Sequence, residues 1–471
     1  MQHSSTNASS PSVVVENSYN GKFQRHSLWA PRSASCPLLG KVLCSEYKQV
    51  KGEPVWDRGK REKPNMVGTR RRKKEKKTET LNVEEYLKRI PPPPKEHEHE
   101  LKMERLLKHM LEQAEKLSEA ELRFYSRQIM LDGVGPEGQL RLKEARVCLV
   151  GLGGLGSTIA TQLAAMGTGY LRLIDRDIVE ESNLQRQHLY SFDVIGYPKV
   201  EAAVRRLERL NPYIELEPLP VSFSGNNAEE MVSGMDVVVD GLDNMNTRYA
   251  INRACVTLGV PYVFGSAIST FGNASTIVPR ETACLECFYG KLDDSLLPTC
   301  GVIGVHPSVI SIVASVEVAE TIKILLGKQP TLTNKLLYCD VDSMRFEEIK
   351  VARAETCPVC GNHPKSKLKP LKHSLIEEGC GRNKKRVFTV TPHESLDLDI
   401  ERLTAVLKRE GIRLRVKTKL GVAFTTGKGI LVSLLNSGVM VVEGADGEEE
   451  TLRIYRDVVT RRMRIPWSRV E

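Results

Sequence analysis

No stretch of the chain holds about 18 consecutive apolar residues, the length that a membrane-spanning helix needs, so no membrane span is expected. The N-terminal region lacks an apolar core of the kind a secretory signal carries, and the eleven cysteines are odd in number. A secreted disulfide framework is therefore not expected; a cytoplasmic, reducing setting is. No internal repeat is found. Charge imbalance is nearly absent beyond residue 120. Residues 1–120 hold 24 Lys and Arg against 16 Asp and Glu, which leaves one of the nine net positive charges to the rest of the 471 residues. That distribution argues against a nucleic-acid-binding core and for a basic tail.

Four segments are legible. Residues 1–82 read as a disordered basic tail, rich in Ser, Asn, Lys and Arg, with a basic run at 70–77. Its first 45 residues contain one acid, Glu16, which leaves an organellar transit peptide open; a start at Met66 is open as well. Residues 83–120 read as a helical lead-in. One helix covers about 82–90 and stops at four prolines, and a second spans about 98–116. A third starts at Ser118, with Glu121 placed for a capping box. Residues 121–365 form the main domain, and strand and helix alternate from 145 onward. Arg146-Val147-Cys148-Leu149-Val150, Tyr170 to Ile174, Val237-Val238-Val239 and Pro261-Tyr262-Val263-Phe264 are the predicted strands. The rhythm predicts an α/β fold: a Rossmann-like, mainly parallel sheet with helices on both faces. Residues 366–471 read as a small α+β unit without a catalytic constellation. Its strands are expected near 386–390, 412–417, 430–434 and 438–442, with helices near 397–409 and 448–458.

Gly151, Gly153 and Gly156 match G-x-G-x-x-G directly after a strand and at the opening of a helix, and Gly154 lies inside the run. Such a turn lets backbone approach a phosphate at a helix N-terminus. Asp175 ends the next strand, placed to accept a ribose hydroxyl. Arg186 and Lys199 follow; a site that transfers AMP needs cations for the departing pyrophosphate, whereas a redox Rossmann site does not. Asp243, after a buried strand, would sit at the carboxyl edge of the sheet, where it could hold Mg²⁺. Cys284-x-x-Cys287 and Cys357-x-x-Cys360 are each half of a tetrahedral thiolate site, so a structural Zn²⁺ is expected rather than a redox pair. Cys148 and Cys255 read as core residues.

These motifs, in this order, resemble the adenylating enzymes of the MoeB/ThiF/HesA group, relatives of the ubiquitin-activating enzymes. The resemblance spans roughly residues 120–365. It rests on Arg123-Phe124-Tyr125-Ser126-Arg127-Gln128, the glycine run, Ser182-Asn183-Leu184-Gln185-Arg186-Gln187, Asp243-Asn244 and both cysteine pairs. It implies adenylation of the C-terminal carboxylate of a ubiquitin-like β-grasp sulfur carrier protein with ATP and Mg²⁺. Asp175 then binds ribose. Asn183, Arg186 and Lys199 contact phosphates, with Ser182 and Asn244 in the same nucleotide-binding stretches, and Asp243 serves the metal. Arg127 resembles an arginine given across a homodimer interface to the neighbouring site, and Arg248 a further active-site arginine. Cys300 falls where relatives carry a cysteine used in sulfur transfer, although it abuts Gly301 directly; a loop cysteine without chemistry is the alternative. The tail shows no rhodanese active-site loop, so a separate sulfur donor is expected. An NAD- or FAD-dependent oxidoreductase, a non-catalytic carrier-binding scaffold and a member that activates a tRNA carboxylate are the competing readings.

Overall fold

The computed structural model describes residues 116–471, apart from 295–296, 298–302, 366–370, 372–373 and 383–384. The basic tail, the helix expected at 82–90, nearly all of that expected at 98–116, and Cys300 lie outside the described residues. At Ser118 the chain enters α1 (Glu119–Phe124) through the expected capping box. The Ser118 Oγ accepts the Glu121 N–H at 3.3 Å, and the Glu121 carboxylate accepts the Ser118 N–H at 2.8 Å. Short α2 (Ser126–Ile129) and α3 (Gly135–Glu144) follow.

The alternating region runs β1 (Arg146–Val150), α4 (Gly154–Met166), β2 (Tyr170–Ile174), α5 (Lys199–Leu210), β3 (Glu215–Leu219), α6 (Ala228–Val232), β4 (Val237–Asp240), α7 (Met245–Leu258), β5 (Tyr262–Ile268). It continues with β6 (Phe271–Ile277), α8 (Leu285–Phe288), α9 (Pro307–Leu325), β7 (Lys335–Asp340) and β8 (Arg345–Lys350). The last four residues of β1 are all apolar because both faces are covered. Val147 and Leu149 pack with Ile159 of α4, Val200 of α5 and Val313 of α9. Cys148 and Val150 pack on the other side with Val232 of α6 and Ile251 of α7.

The strands lie in the order β3-β2-β1-β4-β5-β6-β7-β8. The first five are parallel, as the βαβ rhythm predicts, and the last three are added antiparallel. The sheet is therefore mixed. Chain order reverses between β1 and β4, so the crevice beyond their carboxyl ends is where a ligand is received in such sheets.

A second sheet, antiparallel throughout, is built from β9 (Ile376–Arg382), β10 (Lys385–Val390), β11 (Leu414–Lys417), β12 (Gly421–Thr425), β13 (Leu431–Leu435) and β14 (Met440–Glu443). Its order is β11-β12-β13-β14-β10-β9. Helices α10 (Ile400–Arg409) and α11 (Glu448–Tyr455) close a core of their own, including Phe388, Leu403, Phe424 and Tyr455. After α11 the chain widens into a π-helical stretch, Arg456–Arg462.

Candidate active site

Each glycine of the 151–156 run has its own physical reason. Gly151 has φ +91°, and a Cβ there would lie 2.7 Å from the Gly241 carbonyl oxygen; one on Gly156 would lie 1.9 Å from the Gly151 oxygen. Gly241, after β4, is bound by the same contact, since its Cβ would reach the Gly151 oxygen at 2.2 Å. These three let the β1 and β4 exits interlock. Gly154 lets α4 approach Ile310 of α9. Gly153 differs: the nearest protein atom to its Cβ would be 3.8 Å away, on Gln187. Protein packing does not require a glycine there, and the bare backbone stays open to a ligand. The Gln187 side chain is buried, and its Oε1 has no partner among the described residues. An orphaned acceptor beside an open glycine fits a site that a polar ligand completes.

Asp175, at the exit of β2, is tied into this loop: its Oδ2 accepts the Leu152 N–H at 2.6 Å and its Oδ1 the Asp177 N–H at 2.7 Å. On the other side the Tyr190 hydroxyl donates to the Leu152 oxygen at 2.9 Å. Lys199, the first residue of α5, is buried. Its Nζ donates to Asp177 Oδ2 at 2.8 Å and lies 4.0 Å from Asp175 Oδ2. Burial works against the ammonium, but Asp175, Asp177 and Glu180 outweigh it and hold the group above the ordinary lysine range. Burial also lifts the Asp175 carboxyl above its usual range, with Lys199 opposing and Asp177 adding to the rise. The structure thus brings Asp175 and Lys199 together at the glycine loop.

Ser182 and Asn183 lie on a 3₁₀ turn, Glu181–Asn183, and the half-buried Arg186 donates to the Ser182 oxygen at 3.0 Å. Asp243 is exposed just beyond β4. Asn244 caps α7, its side chain accepting the Thr247 N–H at 3.0 Å. Arg248 is buried. It donates to Asp240 at 2.9 Å and to the oxygens of Leu242 and Gly265 at 2.6 and 2.8 Å, and so fixes the β4 exit against β5. Asp294 accepts the Met245 and Asn246 N–H groups at 2.6 and 2.9 Å, so the segment leading toward Cys300 starts beside Asp243-Asn244.

Arg127 is exposed on α2. Its neighbours anchor the far end of α4: Gln128 donates to the Met166 oxygen at 2.7 Å, and Tyr125 receives a bond from Asn211, which also holds the Ala164 oxygen. The 13 residues of α4 separate that end from the glycine loop by about 20 Å. Arg127 is thereby set apart from its own chain's glycine loop.

The four cysteine thiols converge, with all Sγ atoms within 4.8 Å of one another. Sγ separations are 3.9 Å for Cys284–Cys287, 3.7 Å for Cys284–Cys357 and 3.3 Å for Cys287–Cys360. A tetrahedron with Zn–S bonds of about 2.3 Å has edges of about 3.8 Å, so the set fits Zn²⁺ with no open position. Asn252 of α7 accepts the Leu285 N–H at 2.9 Å and ties this centre to the main domain. Cys148 and Cys255 are fully buried, as expected for core thiols. Asp177, Gln187, Tyr190 and Gly241 carried no sequence expectation of a role. Gln187 alone had a signal, as the last residue of the Ser182–Gln187 stretch.

The sequence profile of the ThiF family matches residues 125–359, which contain the glycine loop, the first cysteine pair and Cys357, and stop one residue short of Cys360; the C-terminal sheet lies beyond it. Over 249 residues the chain is 40% identical to the SAMP-activating enzyme E1 of Haloferax volcanii, covering 52% of this chain and 91% of that protein. It is 40% identical to the sulfur carrier protein adenylyltransferase of Thermus thermophilus, with coverage of 52% and 92%. To the molybdopterin-synthase adenylyltransferase of Salmonella typhimurium it is 38% identical, with coverage of 52% and 98%. With its glycine loop at the switch point and relatives matched over nine-tenths of their length, the chain belongs to the ThiF family.

Proposed function

We propose that the chain adenylates the C-terminal carboxylate of a ubiquitin-like β-grasp sulfur carrier protein. The observation that carries this reading is the buried Lys199 ammonium, held by Asp177 and close to Asp175, against a glycine loop with one open backbone position. A carrier carboxylate attacks the α-phosphorus of ATP, the bond to the departing pyrophosphate breaks, and an acyl-adenylate forms. No covalent protein nucleophile is needed. The work of the chain is to position the reactants and to neutralise charge. Asp175 receives the ribose, Gly153 and Gly154 the phosphate backbone, and Ser182, Asn183, Arg186 and Lys199 the oxygens that gain charge. Asp243, with Asn244 beside it, would hold Mg²⁺, which supplies further charge neutralisation when bound. Cys284, Cys287, Cys357 and Cys360 would hold a structural Zn²⁺, which cross-links the domain.

Arg127 belongs to the partner's site in this reading. Its position at the far end of α4 supports a homodimer in which each chain completes the other's pocket. The acyl-adenylate is then open to a sulfur nucleophile, with AMP leaving. We assign the sulfur-handling role to Cys300 and the supply of sulfur to a separate donor. Thiolate chemistry of this kind belongs to a reducing compartment such as the cytoplasm.

ATP–pyrophosphate exchange, measured with a panel of ubiquitin-like carriers, tests the proposal. Exchange should depend on a carrier and vanish in a folded Asp243→Ala variant. Absence of carrier-dependent exchange by the wild-type protein would overturn the function; full exchange by Asp243→Ala would remove that residue from it.

A further inference from the structure

The C-terminal sheet touches the main domain at the segment that holds Lys199. Ile178, four residues beyond the last residue of β2, Ile174, bridges Pro198 in antiparallel fashion, and the Lys199 N–H donates to the Asp177 oxygen at 2.9 Å. This small ladder fixes the start of α5, and with it the root of the Lys199 side chain. Its outer surface is covered by the second sheet. Ile178 forms an apolar cluster with Leu435 and Val439, and a Cβ on Gly421 would lie 3.0 Å from Pro198. Glu201, in the first turn of α5, accepts two successive backbone N–H groups from the β11–β12 turn, Lys419 at 3.1 Å and Leu420 at 2.8 Å.

We propose that Glu201 is a positioning residue for the nucleotide site. It clamps the β11–β12 turn of the C-terminal sheet to the first turn of α5 and so sets where the Lys199 ammonium stands. The inference rests on the reading that Lys199 contacts ATP phosphates. Bonds from backbone N–H to a carboxylate are charge-assisted and directional, and two on one carboxylate fix both position and rotation. Lys199 lies two residues away, at the end of the helix that this clamp restrains. The family profile ends at residue 359, before this sheet begins, so the clamp is a feature that this chain adds to the matched region.

The test is the dissociation constant of ATP–Mg²⁺ by calorimetry on the full chain, for wild type, Lys199→Ala, Glu201→Ala and the Lys199→Ala/Glu201→Ala double variant. Glu201→Ala should weaken ATP binding about five- to tenfold, and it should add nothing once Lys199 is gone, because it acts through Lys199. Glu201→Gln keeps the size and one carbonyl acceptor, and should recover most of the affinity. If Glu201→Ala does not fold, Glu201→Gln carries the same comparison, with an expected loss of about two- to threefold that also disappears in the Lys199→Ala background. Wild-type affinity in a folded Glu201→Ala protein overturns the proposal, as does an equal loss with and without Lys199. If Lys199→Ala binds ATP as wild type does, the underlying reading of Lys199 fails instead.

Discussion

Glu317 offers a test of the physics beneath the site. It lies on α9, fully buried, with neither carboxyl oxygen bonded to a partner among the described residues. Gly265 passes so close that a Cβ on it would be 2.2 Å from the Glu317 Cδ. Burial, and then the Asp240 carboxylate, push the Glu317 carboxyl well above the ordinary range, and Arg248 pulls it back only in part. Glu317 is therefore protonated in the folded protein at pH values where it is ionised in the unfolded chain. Stability from this group is complete below the unfolded value of about 4.3 and falls as pH rises toward the folded one. The slope is one proton, or about 1.4 kcal/mol per pH unit across that window. Glu317→Gln keeps the shape and removes the ionisation. Relative to wild type it should gain stability by about 1.4 kcal/mol for each pH unit above about 4.3, until the folded value is passed. Urea unfolding at pH 5, 6 and 7 reads this directly. Parallel wild-type and variant stabilities across the three pH values would refute the reasoning.

Metal analysis of reduced protein should find one zinc per chain; Cys357→Ser should lose it, with a destabilisation of more than about 4 kcal/mol in chemical unfolding. Zinc-free protein with unchanged stability would sink the assignment. Arg127→Ala and Lys199→Ala should each be nearly inactive in ATP–pyrophosphate exchange. Mixed under conditions of subunit exchange, they should regain part of the activity through heterodimers with one intact site, and no recovery would count against the shared site. Cys300→Ser should leave exchange intact and lower thiocarboxylate yield on the carrier; equal yields would take Cys300 out of the mechanism.

The parts of the fold legible in the sequence are those where local pattern and tertiary environment agree. Val147–Val150 of β1 and Val237–Val239 of β4 are unbroken apolar runs because both faces are covered, and Gly151 and Gly156 are forced by contacts that admit no Cβ. Two of the strands that escaped notice, β3 and β8, lie at the edges of the first sheet. β3 contains Pro218, which argues against a strand in sequence but is acceptable on an edge strand such as this one. β8 reads Arg-Phe-Glu-Glu-Ile-Lys and is exposed along its whole length. Of the candidate site, the cysteine pairs and the Asp175, Lys199 and Asp243 candidates could be named from residue type and spacing. Gly241 could not, and Gln187 only as the last residue of the Ser182–Gln187 stretch, because their contacts with Gly151 and Gly153 join segments whose proximity only the folded sheet creates. Arg248 resembles a family active-site arginine in sequence; its bonds to Asp240 and to the Leu242 and Gly265 oxygens could not be read there.

The segment 175–201 explains why so much of the site could be read in pieces but not assembled. It carries Asp175, Ser182, Asn183, Arg186 and Lys199, yet its described regular structure before α5 amounts to two short 3₁₀ turns. A loop of this length is entropically costly to hold in one shape. Three restraints offset that cost. Asp175 bonds the glycine loop, the ladder at 177–179 and 196–199 closes the base, and the C-terminal sheet backs the ladder through Ile178 and Glu201. A charged ligand entering such a site meets cations and backbone donors already in place, so ordering costs are met on folding and not on binding. What the C-terminal sheet contributes through Ile178 and Glu201 is, on this argument, rigidity of residues that the family profile covers.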